Sequence, residues 1–186
     1  MFPSHDPGGA SIDGIGDVFD YQRAPAKWDH VYKNLLKLDQ NKNINLKCWF
    51  AYTITPYNVF HLPEFMKWKL TESKLERFNP LDCPRPIISQ HMCHSPKYYN
   101  IKVLPNVLKE DIIDHFEIYR HWIQSTDFSD HVKTKFIEIL DGTIQFMISE
   151  DYSEHLNTFI DYTNKLDEFR NQNIVEVVPE LAELFE

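Results

Sequence analysis

The sequence predicts an α/β fold over residues 1–105, followed by an α-helical region over 106–186. Three observations carry this. Helical spacings and short β-branched or aromatic runs alternate as far as "PKYYNIKVLP" (96–105), the order expected of parallel βα units. Beyond Asn106 only helical periodicity is left,. The 186 residues are also 42% hydrophobic, with 13 Phe, 9 Tyr and 4 Trp. That is enough to bury a sizeable core and to exclude general disorder.

Pro25 suits the first position of a helix, and Trp28, Val31, Tyr32, Leu35 and Leu38 follow on one face of it,. "NKN" (41–43) ends that helix. "INLKCWFAYTIT" (44–55) is β-branched, aromatic and nearly uncharged, so it reads as a strand buried on both faces. Pro56 stops it. A second helix is expected from about Leu62, with Pro63 near its start and Leu62, Phe65, Met66 and Leu70 facing inward. "NPLDCPRP" (79–86) holds three prolines in eight residues and is loop; "IISQHMC" (87–93) is a further short strand. Ile112, Ile113, Phe116, Tyr119 and Ile123 then mark one helix. Val132, Phe136, Ile139, Leu140, Ile144 and Met147 mark another, and Leu156, Phe159, Ile160, Thr163 and Leu166 a third. Pro179 opens a short closing helix.

A net charge of −9 and a pI near 5.4 argue against a general binder of nucleic acid or anionic membranes, which needs clustered Lys and Arg. No apolar run approaches the roughly 18 residues of a membrane span. "MFPSHDPGGAS" has neither the basic nor the apolar segment of a secretory leader,. With three cysteines, an odd number, the expectation is a cytoplasmic protein with free thiols.

Four of the five glycines fall in the first 16 positions. Gly14-Ile15-Gly16 opens like a dinucleotide fingerprint, but the third glycine and a preceding apolar strand are missing, so a tight turn is the expectation. Cys83, His91, Cys93 and His94 do not follow the short paired spacing of a structural zinc site,. "SIDG" followed by Tyr21-x-Arg23 carries more chemistry. Ser11 and Asp13 share a side of an extended backbone. A hydroxyl and a carboxylate can engage a ribose diol, and an arginine can pair with a carboxylate through its fork of donors. An ordinary amino-terminal loop with a surface arginine is the competing reading.

"SIDGIGDVFDYQRAPAKWDHVYKNLLKL" resembles the fourth strand end and following helix of radical S-adenosylmethionine (SAM) enzymes, in the subgroup with a twitch domain. The likeness extends to "INLKCWFAYTITPYNVFHLPEF" as a fifth βα unit, to "HSPKYYNIKVLP" after a sixth strand, and to the tail "YTNKLDEFRNQNIVEVVPELAEL". It implies a partial (β/α) barrel of about strands 4–6 followed by the helical region. It implies SAM as cofactor, with Ser11 and Asp13 at the ribose and Arg23 at the methionine carboxylate. Thr55 and Asn58, just past the fifth strand, line the same mouth by that resemblance.

The family's CxxxCxxC motif, whose thiolates hold a 4Fe–4S cluster, is not in this sequence, and neither is its early Gly-Gly-Glu segment. "HDPGGA" stands where an apolar fourth strand belongs. The chain therefore reads as a carboxyl-terminal portion, inactive alone, with the cluster expected only in a complete homologue. Cutting a barrel there opens a sheet edge, expected along "CWFAYTI" (48–54). The implied partner is the other half of the barrel, or a second copy across that edge. A peptide is the substrate class common in the wider group. A non-catalytic binding or interaction module on the same scaffold is the alternative, since fold does not fix function.

Overall fold

The computed structural model describes residues 8–41, 48–78 and 87–186. Their fold is mixed α/β, built around a small parallel sheet of β1 (Gly8–Ser11), β2 (Cys48–Ile54) and β3 (Ser89–Met92) in the order β1-β2-β3. Helices α1 (Gly16–Gln22) and α2 (Trp28–Gln40) connect the first two strands, and α3 (Leu62–Thr71) lies between the second and third. The expected strand start at 44–47, the loop over 79–86 and Cys83 lie outside the described residues.

Two expectations about β2 are corrected. Its burial alternates: Cys48, Phe50, Tyr52 and Ile54 are buried, whereas Trp49, Ala51 and Thr53 are half-covered. It is therefore not buried on both faces. It is also not the open edge, because it pairs in parallel with β1 on one side and β3 on the other. Among the described residues the edges are β1 and β3. An apolar segment in a parallel sheet takes the central place, where both rows of backbone groups find partners.

β1 forms from "GGAS", with little intrinsic strand preference,. Space explains the glycine at its second position. A Cβ on Gly9 would come within 3.0 Å of the Trp49 indole, its register partner on β2. α1 is a helix that the sequence reading does not contain. It buries Val18, Phe19 and Tyr21. Pro25 stands in a turn after a cis peptide bond rather than at the first helical position. α2 starts at Trp28, whose N–H donates to Asp20 Oδ1 at 2.6 Å. Phe19, Trp28, Tyr32 and Trp68 pack with ring centroids 5.3–5.7 Å apart, Trp28 stacked on Tyr32 and the other pairs tilted or edge-on, joining α1, α2 and α3. On the sheet, Phe50 and Tyr52 pack against Phe65 of α3.

The helical region comprises α4 (Asn106–Ser125), α5 (Asp130–Ile148), α6 (Leu156–Arg170) and the short α7 (Ile174–Val177), closed by a 3-10 turn over Pro179–Leu184. The periodic positions face inward: Ile112, Phe116 and Ile123 on α4, and Val132, Phe136, Ile139, Leu140 and Met147 on α5, are buried. One hydrophobic cluster runs from Ile12 to Leu181. α6 comes back to the carboxyl end of the sheet. There the Tyr21 hydroxyl donates to Asp167 at 2.7 Å, and the Tyr57 and Thr163 hydroxyls lie 2.8 Å apart. No helix among the described residues is long and apolar enough to cross a membrane.

Candidate functional site

The carboxyl ends of parallel strands are where ligands of open α/β sheets and βα barrels bind. Three chain segments converge at that end here: the turn after β1, the loop after β2 and the stretch after β3. Asp13, in the first of them, is only 6% exposed. Its Oδ1 accepts the Thr53 N–H at 2.8 Å and its Oδ2 pairs with Arg23 Nη2. Its carbonyl oxygen accepts from Gln22 Nε2 at 2.8 Å and from Asn58 Nδ2 at 2.9 Å. Asn58 is fully buried and used on every polar atom of its side chain. Its Oδ1 accepts the Thr55 N–H at 2.8 Å, and its Nδ2 donates also to the Thr53 carbonyl at 2.9 Å.

The glycine turn is fixed by the same logic. A Cβ on Gly14 would sit 2.8 Å from Val18 Cγ1, and Gly16 has φ 54°, a left-handed conformation that costs glycine nothing,. Between them, the Ile15 N–H donates to His61 Nε2 at 3.2 Å, while His61 Nδ1 donates to Glu64 at 3.0 Å. Both contacts are met by the neutral imidazole with its proton on Nδ1. The bond from His61 holds the Glu64 carboxyl below its ordinary range.

The five residues singled out from sequence thus divide. Asp13, Arg23, Thr55 and Asn58 are brought into one network, whereas the Ser11 side chain is exposed and takes no part in it. Asp13 and Arg23, expected at opposite ends of one ligand, are partners of each other. Arg23 nevertheless keeps one donor in hand: its Nε is buried and has no acceptor. Thr55 borders a cleft of about 270 Å³, walled by Tyr57 and Tyr99, with Gln22, Cys93 and Arg170 on its rim. Tyr21 was marked as part of Tyr21-x-Arg23, whereas Gln22, His61, Tyr57 and Tyr99 were not singled out; the signal for Gln22 was its position inside "YQR".

Burial sets the chemistry of the cleft. It pushes the Tyr57 phenol up to about 12 and the Tyr21 and Tyr99 phenols well above their usual range. All three are neutral donors near neutral pH. The Cys93 thiol is raised by burial as well, so it is protonated there and a poor nucleophile. The cleft can stack, donate and accept hydrogen bonds, and receive an anion. Nucleophilic attack finds no activated group in it.

The residues fit the two groups implied by the resemblance unequally. A carboxylate matches the orphaned Arg23 Nε; the Thr55 hydroxyl donates to Gln22 Oε1 at 3.3 Å, and a ribose matches the lone pair and the amide proton that this pair leaves over. An iron–sulfur cluster is not matched among the described residues. Cys48 begins β2 and Cys93 follows β3, which at about 3.3 Å per residue separates them by roughly 20 Å. Among the described residues no group of three or more His, Cys, Asp or Glu side chains is placed to hold a metal ion. No family model, no curated protein and no solved structure matches this chain.

Proposed function

We propose that β1, β2 and β3 correspond to strands 4–6 of a radical SAM-type barrel, and that their carboxyl ends receive SAM. The observation that carries this reading is Arg23. It combines a guanidinium edge anchored on Asp13 with a buried Nε that lacks an acceptor, and it directly follows Gln22, which lines the cleft with aromatic walls. In this reading Arg23 holds the methionine carboxylate, Thr55 and Gln22 meet the ribose, and Asp13 and Asn58 hold the turn in place. Ser11, on the exposed side of the strand end, is free to join the ribose contacts. Bound SAM supplies radical chemistry in a complete enzyme, for which a peptide is the proposed substrate class. No step is assigned to this chain's cysteines. The outer edges of β1 and β3 are the proposed places for further strands, from another polypeptide or from a second copy.

Calorimetry with S-adenosylhomocysteine tests the reading. A net hydrogen bond is worth about 1 kcal/mol, so a dissociation constant of about 1 mM is expected, and Arg23→Gln should remove it. The absence of saturable heat up to about 10 mM would overturn it. One observation favours the alternative, a binding module without catalysis: both Asp13 carboxylate oxygens are already occupied within the chain. That module retains the network as scaffold and gives no response to the adenosyl ligand.

A further inference from the structure

A second pocket, of about 430 Å³, lies between the first turn of α4 and the segment that follows α5. It shares no residue with the candidate site. Lys109, in that first turn, lines it while being only 6% exposed. No hydrogen bond or ion pair reaches its ammonium among the described residues; its backbone N–H alone is bonded, to the Pro105 carbonyl. α4 follows Pro105 and no side chain caps it. The N–H groups of Asn106, Val107 and Leu108 therefore have no intrahelical acceptor, and the positive end of a 20-residue helix adds to the Lys109 charge,.

Opposite charge stands across the pocket without closing on Lys109. Asp151 acts on Lys109 electrostatically, partly offsetting the burial that lowers the lysine's proton affinity. Its carboxylate turns instead to the Ser153 N–H, at 2.8 Å. Glu150 is held by Lys102 at 2.5 Å. Glu110 completes the rim, and Ile113 with the exposed Ile148 forms an apolar wall.

This arrangement discriminates among ligands. A phosphate-like polyanion meets Asp151 and Glu110, like charges that cost it affinity. A simple cation meets the Lys109 ammonium and the positive amino end of α4, like charges that cost it affinity. A molecule with both charges a few ångströms apart satisfies both sides. We propose that the pocket binds a free α-amino acid with an aliphatic side chain. Its carboxylate lies on Lys109 and the amino end of α4, its ammonium on Asp151 and Glu110, and its hydrocarbon on Ile113 and Ile148.

Amide correlation spectra of the whole chain, titrated with L-leucine, test this. Leucine should give saturable shifts at Asn106, Val107, Leu108 and Asp151. Leucinamide, without the carboxylate, and N-acetyl-leucine, without the ammonium, should each bind at least about tenfold more weakly. Lys109→Met should abolish the leucine response. Asp151→Asn, at an exposed position where the amide oxygen still accepts the Ser153 N–H, should weaken leucine about tenfold and leave N-acetyl-leucine unchanged. No saturable shift by leucine up to about 50 mM, or equal shifts from all three compounds, would overturn the proposal. So would an unaltered leucine response in Asp151→Asn.

Discussion

At the carboxyl end of the sheet, polar groups are partnered within the chain almost to the last atom; at the amino end of α4 they are held apart. Asn58 makes side-chain hydrogen bonds to three residues, and Asp13 has a partner on each carboxylate oxygen. Lys109 and Asp151 face one another unjoined. Satisfied networks rigidify a backbone, whereas charges left open at a cavity are what a ligand completes. The first region therefore behaves as a frame with one free donor, Arg23 Nε, and the second as a receptor for a whole molecule.

The sharpest way to break the comparison is Asn58→Ala. It leaves the Asp13 carbonyl short of one donor in a buried setting, and the Thr53 carbonyl and Thr55 N–H short of theirs in a partly buried one. Urea denaturation should show a loss of about 4 kcal/mol; a loss under about 1 kcal/mol would mean that the network is not a frame. Asp13→Asn should cost less, about 2 kcal/mol. The Arg23 side chain it deserts is 39% exposed and recovers water. In a double-mutant cycle with Arg23→Gln, the two losses should be clearly non-additive.

Lys69 extends the comparison to a buried cation inside the frame's own layer. Burial lowers its pKa to about 7, against an unfolded value of about 10.4. Between those values the unfolded chain binds the extra proton, so stability should rise with pH from about 7 to about 10, at up to roughly 1.4 kcal/mol per pH unit. Below pH about 7 the contribution is flat. Urea midpoints at several pH values measure the slope, and Lys69→Met should remove it. The smallest effect is expected from His61→Phe, about 1 kcal/mol. It deprives the Ile15 N–H of its acceptor, and faster hydrogen exchange at Ile15 is the readout.

Most helices were legible in the sequence because their signal is local. Trp28 to Leu38, Leu62 to Leu70 and the periodic positions of α4, α5 and α6 need only spacing to be recognised. The central place of β2 was not legible, because it depends on which distant segments pair with it. β1 carries no strand propensity of its own; "GGAS" becomes a strand through Cys48–Ala51 beside it. Members of the network were marked in the sequence, Asp13 and Arg23 by residue type and Thr55 and Asn58 by the resemblance. Its wiring was not: that Asp13 and Arg23 meet, and that His61 pins Ile15 from 46 positions away, are consequences of packing.

The bond between the Tyr21 hydroxyl and Asp167 spans 146 positions, and its consequence is one of timing. On a ribosome the three strands and their helices emerge well before α6 does. The cleft wall that α6 completes is therefore assembled last, after the long-range closure whose entropy the rest of the chain has already reduced. A nascent chain stopped before Leu156 should carry the sheet with its carboxyl end still uncovered, so the cleft as described belongs to a chain that includes α6 and not to a shorter intermediate.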